Sequence, residues 1–130
     1  MRPDNAPLDG PALTTAISDA MAGLYARHYG HERATASTYI NDNVVVCILE
    51  DILSAKEDAQ IAAGDSGAVI DERVAFQTDT EDQFTREVER LTRRRVVAFM
   101  SANQTTPGIA CELFYLDAAP IKPSPEASAA

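Results

Sequence analysis

Cys47 and Cys111 are the two side chains of this sequence with the clearest potential for nucleophilic or redox chemistry. Cys47 lies in the apolar run VVVCIL and Cys111 lies in IACELFYL. A reactive cysteine needs a nearby positive charge that lowers its pKa, and no basic residue adjoins either one in sequence. We therefore predict that both pack in the core as small hydrophobic side chains, with a redox pair and a metal site as the alternatives.

His28 and His31 form an H-x-x-H pattern that is followed by Glu32. Zinc needs three or four ligands, and two histidines on one helix bind it together when they are four positions apart. Gly30 is predicted to end a helix between these two histidines. The pattern therefore indicates a cation at the end of a helix and a histidine in a loop.

The sequence carries no established catalytic motif. The segment GDSG, residues 64–67, is similar to the nucleophile segment of chymotrypsin-like proteases, but that fold needs a much longer all-β chain. The motifs GxGxxG, P-loop and HExxH do not occur, and the carboxylates have no spacing suited to acid–base catalysis. We expect a protein that is not an enzyme and that needs no cofactor or metal.

Arg93, Arg94 and Arg95 form one basic cluster in an acidic chain. At the negative end of a helix, each cation stabilises the helix dipole by about 0.3–1 kcal/mol. The alternative is a site for an anion or a contact with an acidic partner. These three arginines are therefore the candidate anion or partner contact.

The composition favours a small cytoplasmic protein. The 130 residues carry a formal charge of -9, whereas nucleic acids and anionic membrane surfaces attract basic proteins. The N-terminal segment lacks the apolar stretch of a signal peptide. The longest apolar run, Val44–Leu49, is far shorter than the ~20 residues needed to cross a bilayer. We expect no nucleic-acid partner and no direct insertion into a membrane.

The hydrophobic spacing predicts an α+β fold with the order α-β-β-α-α-β-β, in which two hairpins form a four-stranded, mainly antiparallel sheet covered by helices. A capping box at Ser54 and Glu57 opens the second helix. The following helical segment is expected to break, with Thr78 or Thr80 capping the next one. We predict a flexible arm at residues 1–10, one domain at 11–117 and a disordered tail at 118–130. The predicted strands are residues 34–40, 44–49, 96–101 and 109–116.

The strand Val44–Leu49 is apolar at every position, so both of its faces require cover. Helices on the sheet cover one face. A second subunit is a natural source of cover for the other face, which predicts a homo-oligomer, most simply a dimer.

The run YGHERATASTYINDNVVVCILEDILSAKED resembles the signature segment of the MpsC-like domain family, formerly a domain of unknown function. The second half, VERLTRRRVVAFMSANQTTPGIACELFYL, is also similar, and the resemblance spans roughly residues 12–117. The family usually has a G-R-G-P-like turn where this chain has Gly30-His31-Glu32-Arg33. His31 and Arg33 are therefore the candidate contacts of an altered turn.

The resemblance implies a soluble partner of a membrane system that generates a potential by moving cations, and it supplies no catalytic residues. We therefore expect a self-associating accessory or regulatory module that is not an enzyme. Two alternatives remain open: a small-ligand sensor that holds an anion at Arg93, Arg94 and Arg95, and an enzyme that uses Cys47 or Cys111.

Overall fold

The computed structural model describes residues 8–29 and 34–118. The predicted α+β class and element order are confirmed. Most of the predicted arm and of the predicted tail lies outside the described residues. The elements are α1 (Gly10–Tyr29), β1 (Thr35–Asn41), β2 (Val44–Glu50), α2 (Ala55–Ala62), α3 (Ser66–Thr92), β3 (Val96–Thr105) and β4 (Gly108–Leu116).

The four strands form one antiparallel sheet in the order β1-β2-β4-β3. The two hairpins are therefore joined side by side through their second strands. α1 packs against β1 and β2, and α3 packs against β3. The core lies between these helices and one face of the sheet, where Val45, Cys47 and Phe114 are each fully buried.

The second hairpin is longer than the sequence pattern indicates. The strands predicted at residues 96–101 and 109–116 leave residues 102–108 as a loop. This prediction is wrong, because Ala102–Thr105 continue β3 and pair with Gly108–Cys111 of β4. The connecting turn consists of Thr106 and Pro107, joined by a cis peptide bond. The segment Ala-Asn-Gln-Thr has little intrinsic strand preference, and its pairing with β4 overrides that preference.

The capping box at the start of α2 is confirmed. The Ser54 hydroxyl accepts a hydrogen bond from the Glu57 N–H at 3.2 Å, and Glu57 Oε1 accepts one from the Ser54 N–H at 3.0 Å. These two bonds satisfy two backbone donors that the first helical turn leaves without partners.

The predicted break at Thr78 or Thr80 is wrong, since α3 runs without interruption through both positions. The Thr78 hydroxyl donates to the carbonyl of Val74, four residues earlier, at 3.1 Å. This bond lies within a continuing helix, where a threonine hydroxyl satisfies its hydrogen-bonding capacity without capping. Thr80 is buried against the core and does not begin a new helix.

Candidate functional site

The face of the sheet opposite the core is apolar and open. Side chains alternate along a strand, so Val45, Cys47 and Leu49 point to the core and their neighbours point away from it. Within the described residues, α1 and α3 both pack on the core side. On the other side, Tyr39 is 62% exposed and Met100 is 59% exposed.

The strand register defines this surface, which we call the open face. Its cross-strand pairs alternate with those of the core side. Each strand contributes four residues: Thr35, Ser37, Tyr39 and Asn41 from β1; Val44, Val46, Ile48 and Glu50 from β2; Ala98, Met100, Ala102 and Gln104 from β3; and Ile109, Cys111, Leu113 and Tyr115 from β4.

The centre of the open face is apolar, and the polar residues of this face lie at its margin. Among the four described strands, Glu50 is the one charged residue on this face, and it lies at the end of β2. Thr35 and Gln104 share its cross-strand row at the margin, and Asn41 lies at another corner. An apolar centre with a polar rim is the typical anatomy of a protein–protein interface.

The two cysteines point to opposite faces of the sheet. Cys47 is fully buried, as predicted, and burial raises the pKa of its thiol to about 11, with a smaller lowering effect from the Thr38 hydrogen bond. Cys111 does not lie in the core, which corrects the prediction, because it belongs to the open face and is partly exposed. In the register Cys47 pairs with Glu112, whereas Cys111 pairs with Ile48. The two thiols are therefore not a redox pair.

Glu112 is a buried carboxyl group that the sequence reasoning missed. It is 0% exposed and lies on the core side of β4, between Cys47 of β2 and Ser101 of β3. Burial raises its pKa to about 7, and the neighbouring Ser101 hydroxyl has a smaller lowering effect. The available signal was a glutamate at a core-facing position of the apolar strand IACELFYL.

A buried arginine, Arg73 of α3, joins the three helices. Its Nε donates to Glu57 Oε2 at 2.8 Å, its Nη2 donates to Glu57 Oε1 at 2.7 Å, and its Nη1 donates to the Tyr25 hydroxyl at 2.8 Å. Burial raises the pKa of Glu57, but the bonds from Arg73 and from the Ser54 N–H outweigh burial and leave that pKa lowered. Because Tyr25 belongs to α1 and Glu57 to α2, this cluster fixes the helices above the sheet.

The three arginines of the predicted anion or partner contact have different positions. Arg93 ends α3 with a left-handed backbone, and Arg95 is exposed. Arg94 donates to the carbonyl oxygens of Asp117 and Asp42 and to Asn43 Oδ1, at distances between 2.6 and 3.0 Å. Arg94 therefore ties the β1–β2 turn to the residue that follows β4. An anion or partner contact at this cluster stays a prediction.

Of the two histidines in the H-x-x-H pattern, the described residues include His28. His28 contacts Gln83 of α3 through Nε2 at 3.0 Å. His31 and Arg33, the predicted turn contacts, lie outside the described residues. Within residues 8–29 and 34–118, no group of three or more His, Cys, Asp or Glu side chains is placed to hold a metal ion.

Comparison with known families identifies the chain. The family model described as "Na+-translocating membrane potential-generating system (MpsC)" matches residues 11–118. The chain belongs to the MpsC family. No match to this MpsC chain is found among curated proteins or among solved structures.

The description of the MpsC family names a membrane system. In the described part of the chain, no helix has both the length and the apolar character needed to cross a membrane. α3, the longest helix, is charged along its exposed side, with ion pairs such as Glu87–Arg90 at 2.9 Å. The open face is therefore the main apolar surface that the described MpsC residues expose.

Proposed function

We propose that this MpsC chain is a non-enzymatic accessory or regulatory subunit that self-associates, most simply as a homodimer, and acts as a cytoplasmic partner of a Na+-translocating membrane system. The observation that carries the proposal is the open face. Family membership supports the link to the membrane system. The raised pKa of Cys47 counts against the alternative of an enzyme that uses this thiol, because a thiol that stays protonated is a poor nucleophile.

The size of the open face suits a dimer. Four strands spaced about 4.8 Å apart, with a rise of about 3.3 Å per residue, give a face of roughly 25 by 25 Å once side chains are included. Two such faces in contact bury on the order of 1,200 Å², which is the lower limit of standard specific interfaces. The open face is thus large enough to form an interface without any other contact.

The charge distribution favours the open face over the acidic surfaces as the place where two copies meet. The chain carries a net charge of -9, so two copies repel each other wherever their acidic surfaces meet. The open face avoids this repulsion, because Glu50 at its margin is the one charge it carries among the described strands. Contact through this face keeps the acidic helices on the outside of the dimer.

Analytical ultracentrifugation between about 1 and 100 μM tests self-association, since this range covers micromolar dissociation constants. We expect a species of twice 14.0 kDa, and a monomer throughout the range would contradict the dimer. Co-expression with the membrane subunits of a Na+-translocating system tests the accessory role. We expect co-purification in detergent, and its absence would remove the partner assignment while leaving the dimer intact.

A further inference from the structure

The arrangement of residues on the open face specifies how a second copy binds. We infer that two copies pack open face to open face, related by a two-fold axis that runs across the strands between the cross-strand row of Cys111 and that of Leu113. This inference rests on the self-association proposed above and adds the interface and its geometry.

Two adjacent rows of the open face have complementary shapes. One row consists of Tyr39, Val46, Leu113 and Met100, and the next consists of Ser37, Ile48, Cys111 and Ala102. The first row ends in two large side chains that are about 60% exposed, Tyr39 at 62% and Met100 at 59%. The second row ends in two small residues, Ser37 and Ala102.

An axis across the strands places each row over the other row of the second copy. Met100 then lies over the partner's Ala102, and Tyr39 lies over the partner's Ser37. A hollow of ≈ 150 Å³ receives the methionine side chain, and it is lined by Met100, Ser101, Ala102, Cys111 and Leu113. Methionine suits this position because its unbranched chain adapts to irregular gaps.

A two-fold axis that lies in the plane of the interface but runs parallel to the strands produces a poorer fit. It places Tyr39 over the partner's Met100, so that two large side chains meet. The row that ends in Ser37 and Ala102 then faces the same row of the partner, and its small residues leave a gap. This axis also brings the two Glu50 carboxylates to the same end of the interface. The axis across the strands separates them by about 20 Å, which is beyond the Debye length at physiological salt.

Size exchange between the two rows tests this geometry. Ala102→Met fills the hollow, and overpacking typically costs about 1–3 kcal/mol at each site, so we expect dimerisation to weaken at least about tenfold. The double variant Met100→Ala with Ala102→Met restores a large side chain opposite a small one. We expect it to recover most of the lost affinity in analytical ultracentrifugation.

Ala75→Met is the matched control, because Ala75 is an exposed alanine on α3, away from the sheet. We expect wild-type dimerisation from this variant. Circular dichroism melts of all four proteins establish that each is folded. In the monomer Ala102 is exposed, so the substitution at this position leaves the core unchanged.

Cross-linking provides a second, independent measurement. In the proposed dimer the two Cys111 side chains are offset by one row, about 6.6 Å along the strands, on facing sheets. A short bismaleimide should link them in the wild type and in Cys47→Ala, but not in Cys111→Ala. A link that persists in Cys111→Ala, or that disappears in Cys47→Ala, would overturn the face-to-face geometry.

The outcomes separate this inference from the proposed function. If the wild type dimerises and Ala102→Met dimerises equally well, the interface lies elsewhere, and the inference fails while self-association stands. If the wild type is monomeric throughout, both fail together. The inference is supported if Ala102→Met loses dimerisation and the double variant, Met100→Ala with Ala102→Met, recovers it.

Discussion

Glu112 provides a direct test of the electrostatics of the core. Its carboxyl group is fully buried between Cys47 and Ser101, and its pKa is raised from 4.5 to about 7. The folded protein therefore keeps this proton at a pH where the unfolded chain has released it. Because the folded-state pKa is the higher one, the contribution is most favourable below pH 4.5 and declines as the pH rises through 7.

The magnitude follows from the two pKa values. Each tenfold change in a protonation constant corresponds to about 1.4 kcal/mol, so the gap between 4.5 and about 7 amounts to about 3 kcal/mol in total. Between pH 5.5 and 8.5 the contribution of Glu112 to the free energy of unfolding of the wild type should fall by about 2 kcal/mol. Glu112→Gln removes the titration and keeps a side chain of similar size, so this part of the pH dependence should disappear.

Urea denaturation of the wild type and Glu112→Gln at several pH values between 5.5 and 8.5 measures the effect. The difference between the two free energies of unfolding isolates Glu112, because the opposite contribution of Glu57, whose pKa is lowered, is present in both proteins. We expect the free energy of unfolding of Glu112→Gln, relative to that of the wild type, to increase as the pH rises. A difference in free energy of unfolding that is constant with pH, or that changes in favour of the wild type, would contradict a raised pKa of Glu112 in the folded protein.

Three further predictions concern the buried Glu57–Arg73 pair, the contact between Gly108 and Leu53, and the accessibility of the two cysteines. Glu57→Ala leaves Arg73 buried without its carboxylate and should cost about 3–5 kcal/mol in urea denaturation, whereas Glu87→Ala, at a surface pair, should change stability by less than about 1 kcal/mol. Gly108→Ala places a Cβ 2.8 Å from Leu53 Cγ and should cost about 1–3 kcal/mol, with a smaller cost in a Leu53→Ala background. Cys111 should react with a thiol reagent in the dilute folded protein, and Cys47 only after unfolding; equal rates would contradict their assignment to opposite faces.

The elements that local chemistry defines were predictable from the sequence. The capping box at Ser54 and Glu57 was identified because its two bonds join residues three positions apart. The strands predicted at residues 34–40 and 44–49 leave a turn at residues 41–43, where Asn and Asp tolerate the left-handed backbone that Asp42 adopts. Both signals depend on a few neighbouring residues, and distant parts of the chain do not alter them.

The features that were missed depend on contacts between distant residues. The strand extension Ala102–Thr105 exists because β4 pairs with it, and its own sequence does not favour a strand. The continuity of α3 through Thr78 was hidden because a threonine hydroxyl serves equally well in a cap or in a bond to an earlier carbonyl. The roles of Arg73 and Arg94 depend on partners between 16 and 52 positions away.

The open face illustrates both situations. The two-sided apolar strand Val44–Leu49 indicated that a second surface of the sheet needed cover, which is a property of one strand. The row of small residues and the row of large ones emerge only from the pairing of four strands. The sequence pattern thus indicated a second apolar surface on the sheet, and the strand register defined which residues form it.

Native mass spectrometry of the protein purified gently from its own host measures its state of association. We expect a homodimer with a mass of twice 14.0 kDa and no additional bound mass. A monomer at micromolar concentration would contradict self-association. A bound mass that is released on denaturation would instead favour the alternative of a small-ligand sensor or an enzyme.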